Sequence, residues 1–303
     1  MKIIIDTDPG HDDALALIMA GKSDGVEIMA VTTVAGNSTI QNTTKNARYV
    51  LDYIGRNDVA VFSGESKPMK RDLVQAVVHG SSGLQGANIK NMPTLSNDAP
   101  EQMIRIIEDN PGEVTVVALG PLTNIANAIR KKPSVINKVK QIVFMGGAIG
   151  VPGNKNRVAE FNIFVDPEAA NIVMQSSVPK VMVPLDACNN IQVSLADFAR
   201  VRDIKLRKFL IGIMTPYIAN IAKDIGVQAG LVYDPLAVFC LLCPGSCETK
   251  KYNILIETKS ELTRGMTVAD RRNVTDGLEP NVTVVTKINE SDFFRKFFRS
   301  LNN

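Results

Sequence analysis

The chain has 303 residues, 45% of them hydrophobic and 21% charged, which is enough to bury a sizeable core as a globular protein. Lys and Arg exceed Asp and Glu by only 34 to 31; with no long basic or acidic block, the charge argues against nucleic acid or an anionic membrane and for a small-molecule partner. Met1 leads almost at once into an apolar run without a signal-like segment, and stretches such as Leu236 to Cys243 fall short of the roughly 18 residues of a membrane span, so a cytoplasmic location is expected.

In chain order, apolar β-branched runs occur at Lys2–Asp6, Glu27–Val34, Val59–Ser63, Val114–Leu119, Gln141–Met145 and Lys180–Leu185, each followed by a helix-period segment. Continuous rather than alternating apolarity marks strands covered on both faces. The expectation is therefore an α/β fold with an open, mostly parallel, Rossmann-like sheet and flanking helices, in one domain over residues 1–303. Tyr252–Thr258 and Asn281–Lys287 read as further strands, and Asp292–Leu301 as a last helix. Its Phe293, Phe294, Phe297 and Phe298 form a stripe expected to dock on the core; a membrane-surface helix is the alternative. Cys240, Cys243 and Cys247 are spaced like metal ligands, but no fourth ligand lies nearby, and His11 and His79 are distant in sequence. With Cys188 they are read as buried or inert thiols.

Ligands of open parallel sheets collect beyond the carboxyl ends of the strands. Polar or backbone-exposing residues follow several of the strands: Asp6 and Asp8, Gly36 and Asn37, Gly120 to Asn124, Gly146 and Gly147, and Asp186. The first turn is the most unusual, with Asp6, Asp8, Asp12 and Asp13 inside Asp6-Thr-Asp-Pro-Gly-His-Asp-Asp13. Two carboxylates about 4 Å apart repel by roughly 4 kcal/mol at an effective dielectric near 20, so such a turn needs protons, solvent separation or a cation. Helix capping accounts for Asp12 and Asp13, since a helix N-terminus favours negative charge by about 0.3–1 kcal/mol each. It leaves Asp8 unexplained. All-oxygen ligands select calcium or magnesium rather than zinc. Asp234, in the apolar run Gly230 to Leu242, is the second carboxylate in unusual company. Placed before Pro235 it reads as an N-cap, but a buried carboxylate there wants a cation or several donors.

These residues resemble the inosine–uridine-type nucleoside hydrolase family. The resemblance runs in order through Asp6 to Asp13, Thr32 to Asn37, His79 to Leu84, Gly120 to Asn124, Met145 to Gly147, Glu160 to Asn162 with Val165 to Pro167, Tyr233 to Pro235, and Thr263 to Thr267, nearly the whole chain. It implies calcium-dependent hydrolysis of the N-glycosidic bond of ribonucleosides to ribose and free base, as in nucleoside salvage. It also implies a nucleoside hydrolase fold and a homodimer or homotetramer. Carried over position by position, Asp8, Asp13 and Asp234 give carboxylate oxygens to calcium, and Leu119 its backbone carbonyl. A calcium-bound water is the nucleophile with Asp8 as its general base. Asp12 and Asn37 hold the ribose 2′- and 3′-hydroxyls with Asn162 and Asp234 nearby, while Glu160 and Asn154 contact the 5′-hydroxyl. Because such polar groups are built to pair with a ribose, a 2′-deoxy substrate should lose heavily. His79 becomes a base-side contact, Asp6 a structural support and His11 part of the turn.

One position departs from the family pattern. Many members carry His immediately before the late calcium-binding Asp; here that residue is Tyr233, a phenol that is a weaker proton donor than an imidazolium. Either Tyr233 or His79 assists the leaving base, or the enzyme relies on stacking and water. The chain has no Trp, which leaves Phe164 and Tyr217 as possible stacking partners. Two other readings compete. A non-catalytic nucleoside- or ribose-binding protein would keep the ion site. A haloacid-dehalogenase-type phosphatase would share Asp6-Thr7-Asp8 after a strand, but Pro9-Gly10-His11 lacks the small hydroxyl residue that reading needs.

Overall fold

A computed structural model describes residues 1–89, 98–272 and 277–303. The six early apolar runs become β1 (Lys2–Thr7), β2 (Glu27–Thr33), β3 (Val61–Ser63), β4 (Val114–Ala118), β5 (Gln141–Met145) and β6 (Lys180–Val183). Beyond them lie β7 (Gln192–Val193), β8 (Gly230–Leu231), β9 (Cys247–Tyr252), β10 (Ile254–Ile256), β11 (Thr267–Ala269) and β12 (Val282–Ile288). Eight of these form one sheet in the order β3-β2-β1-β4-β5-β6-β12-β9. All neighbours are parallel except β9, which runs antiparallel to β12 at the edge. β7 with β8 and β10 with β11 form separate two-stranded antiparallel ribbons.

The helices are α1 (His11–Gly21), α2 (Ile40–Tyr53), α3 (Ala99–Asp109), α4 (Thr123–Lys131), α5 (Phe161–Val165), α6 (Pro167–Gln175), α7 (Leu185–Cys188), α8 (Ile204–Ile225), α9 (Tyr233–Leu242) and α10 (Glu290–Leu301). Side chains alternate across a strand, and the two faces of β1 separate accordingly. Ile3 and Ile5 join a core built with α1, α2, α8, α9 and α10, whereas Ile4 joins one built with α3, α4 and α6. The parallel, doubly covered sheet is the expected architecture. The phenylalanine stripe also docks as expected: Phe293, Phe297 and Phe298 of α10 are buried in the first core, and Phe293 meets Phe239 of α9 edge-on at 5.6 Å.

One strand differs from expectation. The run read as Tyr252–Thr258 is broken at Asn253, whose side chain donates to the Glu279 carbonyl at 2.6 Å. The Asn281 amide meanwhile bonds both the N–H and the C=O of Ile254, each at 2.9 Å. Chain before the break belongs to edge strand β9, and chain after it turns into β10. β9 escapes the apolar pattern because it is largely exposed, its centre being Glu248, Thr249, Lys250 and Lys251; lysines on a sheet edge discourage pairing with a foreign strand.

The strand order reverses direction between β1 and β4, which open sheets use as a ligand crevice. The turns after β1 and β4 carry Asp8 and Leu119 to that point. Helix α1 leaves the β1 turn and packs against α9. Both helices are apolar on nearly every face and buried along most of their length. Their N-terminal turns therefore meet inside the protein, bringing Asp12 and Asp13 up to Asp234.

Candidate active site

A cavity of about 520 Å³ opens at this edge of the sheet. Asp12, Asn37, Leu119, Asn154, Glu160, Asn162 and Asp234 line one part of it, and His79, Tyr217, Tyr233 and Asn189 also contribute to its wall. Nearly all the residues singled out in the sequence thus border one space. Asp8 and Asp13 lie just behind it, fully buried. Phe164 is not part of the wall, since its ring is covered by the Arg264 guanidinium at 4.3 Å.

The acidic turn separates into distinct environments. One carboxylate oxygen each from Asp12, Asp13 and Asp234 lies within 4.8 Å of the other two. Asp13 is the best supported: it accepts from the Thr7 hydroxyl, from the Gly10 N–H at 2.9 Å, from the Asn37 amide at 3.0 Å and from the Asp8 N–H at 3.3 Å. The Gly10 bond is a capping interaction, so capping and clustering act on the same side chain. Asp234 stands in the first turn of α9, whose N-cap is Val232. The N-cap expected at Asp234 is therefore displaced, and its carboxylate faces the other acids instead.

Asp8 does not join that triplet. Its Oδ2 accepts the Asn37 N–H at 2.7 Å, while its Oδ1 is buried without a hydrogen-bond partner. Two glycines make room for it: a Cβ on Gly36 would lie 2.1 Å from Asp8 Oδ2, and one on Gly120 would lie 2.5 Å from Asp8 Oδ1. Asp6 is buried below, its Oδ1 accepting from Thr32 Oγ1 at 2.7 Å and Asn124 Nδ2 at 2.8 Å.

Burial, followed by the Asp13 charge, pushes the Asp8, Asp12 and Asp234 carboxyls well above the usual carboxylate range. Burial also raises Asp13, against the pull of its hydrogen-bond donors, and raises Asp6 to about 7. Packed carboxyls with an orphaned oxygen among them meet the conditions for a divalent cation: hard oxygen donors, convergent, and costly to leave uncompensated.

Three polar side chains of the wall are tied to the backbone. Glu160 caps α5, accepting from Asn162 N at 2.8 Å and Ile163 N at 3.2 Å, and also from Gly147 N at 3.0 Å. Burial nevertheless raises its pKa to about 7. Asn162 donates to the Leu119 carbonyl at 2.7 Å, and Asn154 accepts the Phe161 N–H at 2.8 Å.

The remaining wall shows what local sequence did not. His79 is not at the surface; it is buried, and its Nδ1 lies 3.0 Å from His11 Nδ1. His11, expected to serve only the turn, stacks on Tyr217 with centroids 4.7 Å apart and reaches the Gln85 carbonyl with Nε2 at 3.0 Å. Burial holds both imidazoles neutral, His11 at about 4 and His79 well below its ordinary value. The Tyr233 hydroxyl donates to Asn189 Oδ1 at 3.0 Å. Asn189 had no signal in the sequence, because its partner is 44 positions away.

The sequence profile described as inosine-uridine preferring nucleoside hydrolase matches residues 3–295. The chain belongs to this family. Nucleoside hydrolases cleave the N-glycosidic bond of ribonucleosides, and this chain is such an N-glycosyl hydrolase. It is 39% identical over 299 residues to the pyrimidine-specific ribonucleoside hydrolase RihA of Salmonella paratyphi C, covering 97% of this chain and 96% of that one. An uncharacterised protein of Schizosaccharomyces pombe is 42% identical over 99% of both chains. Among solved structures, a plant nucleoside hydrolase superposes with a TM-score of 0.92 at 30% identity, and a purine-preferring ribonucleoside hydrolase from Gardnerella vaginalis with 0.91 at 29%. Each comparison covers 99% of this chain and 98% of the other. Among the described residues, no helix is long and apolar enough to cross a membrane.

Proposed function

We propose that this nucleoside hydrolase is calcium-dependent and cuts ribonucleosides in the cavity at the β1/β4 reversal. The observation that carries the reading is the buried carboxyl triplet of Asp12, Asp13 and Asp234, with Asp8 and its orphaned oxygen beside it. Asp8, Asp13, Asp234 and the Leu119 carbonyl would hold the ion. Bound calcium supplies positive charge that offsets the crowded carboxylates and orients the sugar diol and the attacking water.

The other roles fall to the chain's own residues. Asp8 takes the proton of the attacking water, and burial, which raises its carboxyl above the usual carboxylate range, makes it a stronger base for that step. Asp12 and Asn37 hold the 2′- and 3′-hydroxyls, with Asn162 and Asp234 beside them. Asn154 and Glu160 receive the 5′-hydroxyl. These anionic and amide groups surround a sugar that becomes positively charged as the bond breaks. Tyr233 and His79 face the departing base, and Tyr217 offers it a ring.

Relatives named pyrimidine-specific make uridine and cytidine the first substrates to assay. Homodimer or homotetramer assembly, and a cytoplasmic setting consistent with four free cysteines, belong to the same proposal. The test is base release from uridine, cytidine, inosine and adenosine against their 2′-deoxy counterparts. A site with buried groups built for the diol should favour the ribonucleosides by about 100-fold or more, and equal rates would overturn the assignment.

A further inference from the structure

Asn189 has no part in the ribose and ion assignments, yet it lines the same cavity. It follows α7 directly, at the carboxyl end of β6, and is fixed between buried Cys188 and Ile191. Its N–H donates to the Leu185 carbonyl at 3.0 Å. The side-chain oxygen is left to accept from the hydroxyl of Tyr233, the first residue of α9. Two elements distant in sequence are thereby joined in the cavity wall by one hydrogen bond.

A phenol has a single hydrogen, and its direction is set by whichever acceptor lies nearest. Without Asn189 that O–H would turn freely or bond to water, and the tyrosine ring would lose its tether. A neutral amide is also an acceptor that can give the hydrogen up. As the C1′–N bond breaks, its electron pair goes to the base, water forms the new C1′–O bond, and the water proton goes to Asp8. The anionic nitrogen then outcompetes Asn189 Oδ1 for the Tyr233 O–H. A donor already held at the place where charge develops needs little reorganisation.

We propose that Asn189 is a positioning residue that holds the Tyr233 hydroxyl ready for the departing base and so sets how poor a leaving group the enzyme can release. The proposal rests on the placement of Tyr233 on the base side.

Five proteins test it: wild type, Asn189→Ala, Tyr233→Phe, the double variant, and Asn189→Leu as a volume-keeping second replacement. Each is assayed on uridine, on inosine and on p-nitrophenyl β-D-ribofuranoside, whose phenolate leaves without a hydrogen bond. Loss of an interaction made only in the transition state should lower kcat on the nucleosides by about tenfold, with KM within about twofold and the nitrophenyl riboside nearly unaffected. The double variant should be no slower than Tyr233→Phe alone. Equal slowing on the nitrophenyl riboside by both Asn189 replacements would make the residue merely structural and overturn the proposal, as would single-variant losses that multiply. Tyr233→Phe at the wild-type rate would overturn it while leaving the hydrolase reading intact. No base release by the wild type from any ribonucleoside would overturn both.

Discussion

Removing divalent cations should make this protein lose stability as pH rises, and the size of the loss follows from the acidic triplet. With ligand oxygens of Asp12, Asp13 and Asp234 within 4.8 Å of one another, each ionised pair repels by about 3.5 kcal/mol at an effective dielectric of about 20. Three pairs come to about 10 kcal/mol, comparable to the whole stability of a domain. Without a cation the carboxyls therefore keep protons. A carboxyl raised on folding contributes stability that is complete below its unfolded pKa and is lost as pH rises toward its folded one. Asp8, Asp12 and Asp234 are all raised in this way. A carboxyl that keeps its proton in the folded state and is ionised in the unfolded one loses about 1.4 kcal/mol of this stability per pH unit. Asp6 and Glu160, each at about 7, add to the same trend. His11 and His79 are lowered, so their opposite contribution lies mostly below pH 6.5. For a chain of 303 residues the unfolding entropy is about 0.6 kcal/mol per kelvin, so each such carboxyl lowers the melting temperature of the chelated protein by about 2 °C per pH unit as pH rises. Scanning fluorimetry with EDTA and then excess calcium reads this directly. A melting temperature that stays level or rises with pH in EDTA, or that calcium leaves unmoved at pH 8, would refute the reasoning.

Gly36→Ala would set a Cβ 2.1 Å from Asp8 Oδ2; it should cost about 1–3 kcal/mol in urea melts and abolish most base release, whereas unaltered turnover would remove Asp8 from the chemistry. Phe297→Ala deletes a fully buried ring of α10 and should cost about 3–5 kcal/mol with kcat preserved in the surviving folded fraction. Because Glu160 gains its proton as pH falls through about 7, kcat/KM for uridine should drop over that window. The drop should be shallower for a 5′-deoxyribonucleoside, which has no hydroxyl to offer that carboxylate and keeps only the pH dependence of the other groups.

The sequence exposed the fold where burial left a pattern. β1, β2 and β4 to β6 carry continuous apolar runs because helices cover both faces, and α1 and α9 because they are enclosed. β9 carries no such mark, since a strand at a solvated edge is free to be lysine-rich, and the break at Asn253 depends on Asn281 and Glu279 across the sheet. In the site, the clustered carboxylates and ordered motifs singled out residues that the structure gathers around one cavity, yet not the grouping within it. Asp8 stands apart from the Asp12, Asp13 and Asp234 triplet because Gly36, Gly120 and the Asn37 N–H hold it there. The contacts of His11 with His79 and of Tyr233 with Asn189 are tertiary, spanning 68 and 44 positions, and no local spacing encodes them.

The central claim is that the buried acids serve an ion on which ribonucleoside cleavage depends. It is tested most directly by base release from uridine and inosine after chelation and buffer exchange, measured before and after calcium is returned. The account predicts activity lost on chelation and restored by calcium. Base release that persists undiminished in the chelated protein would contradict it.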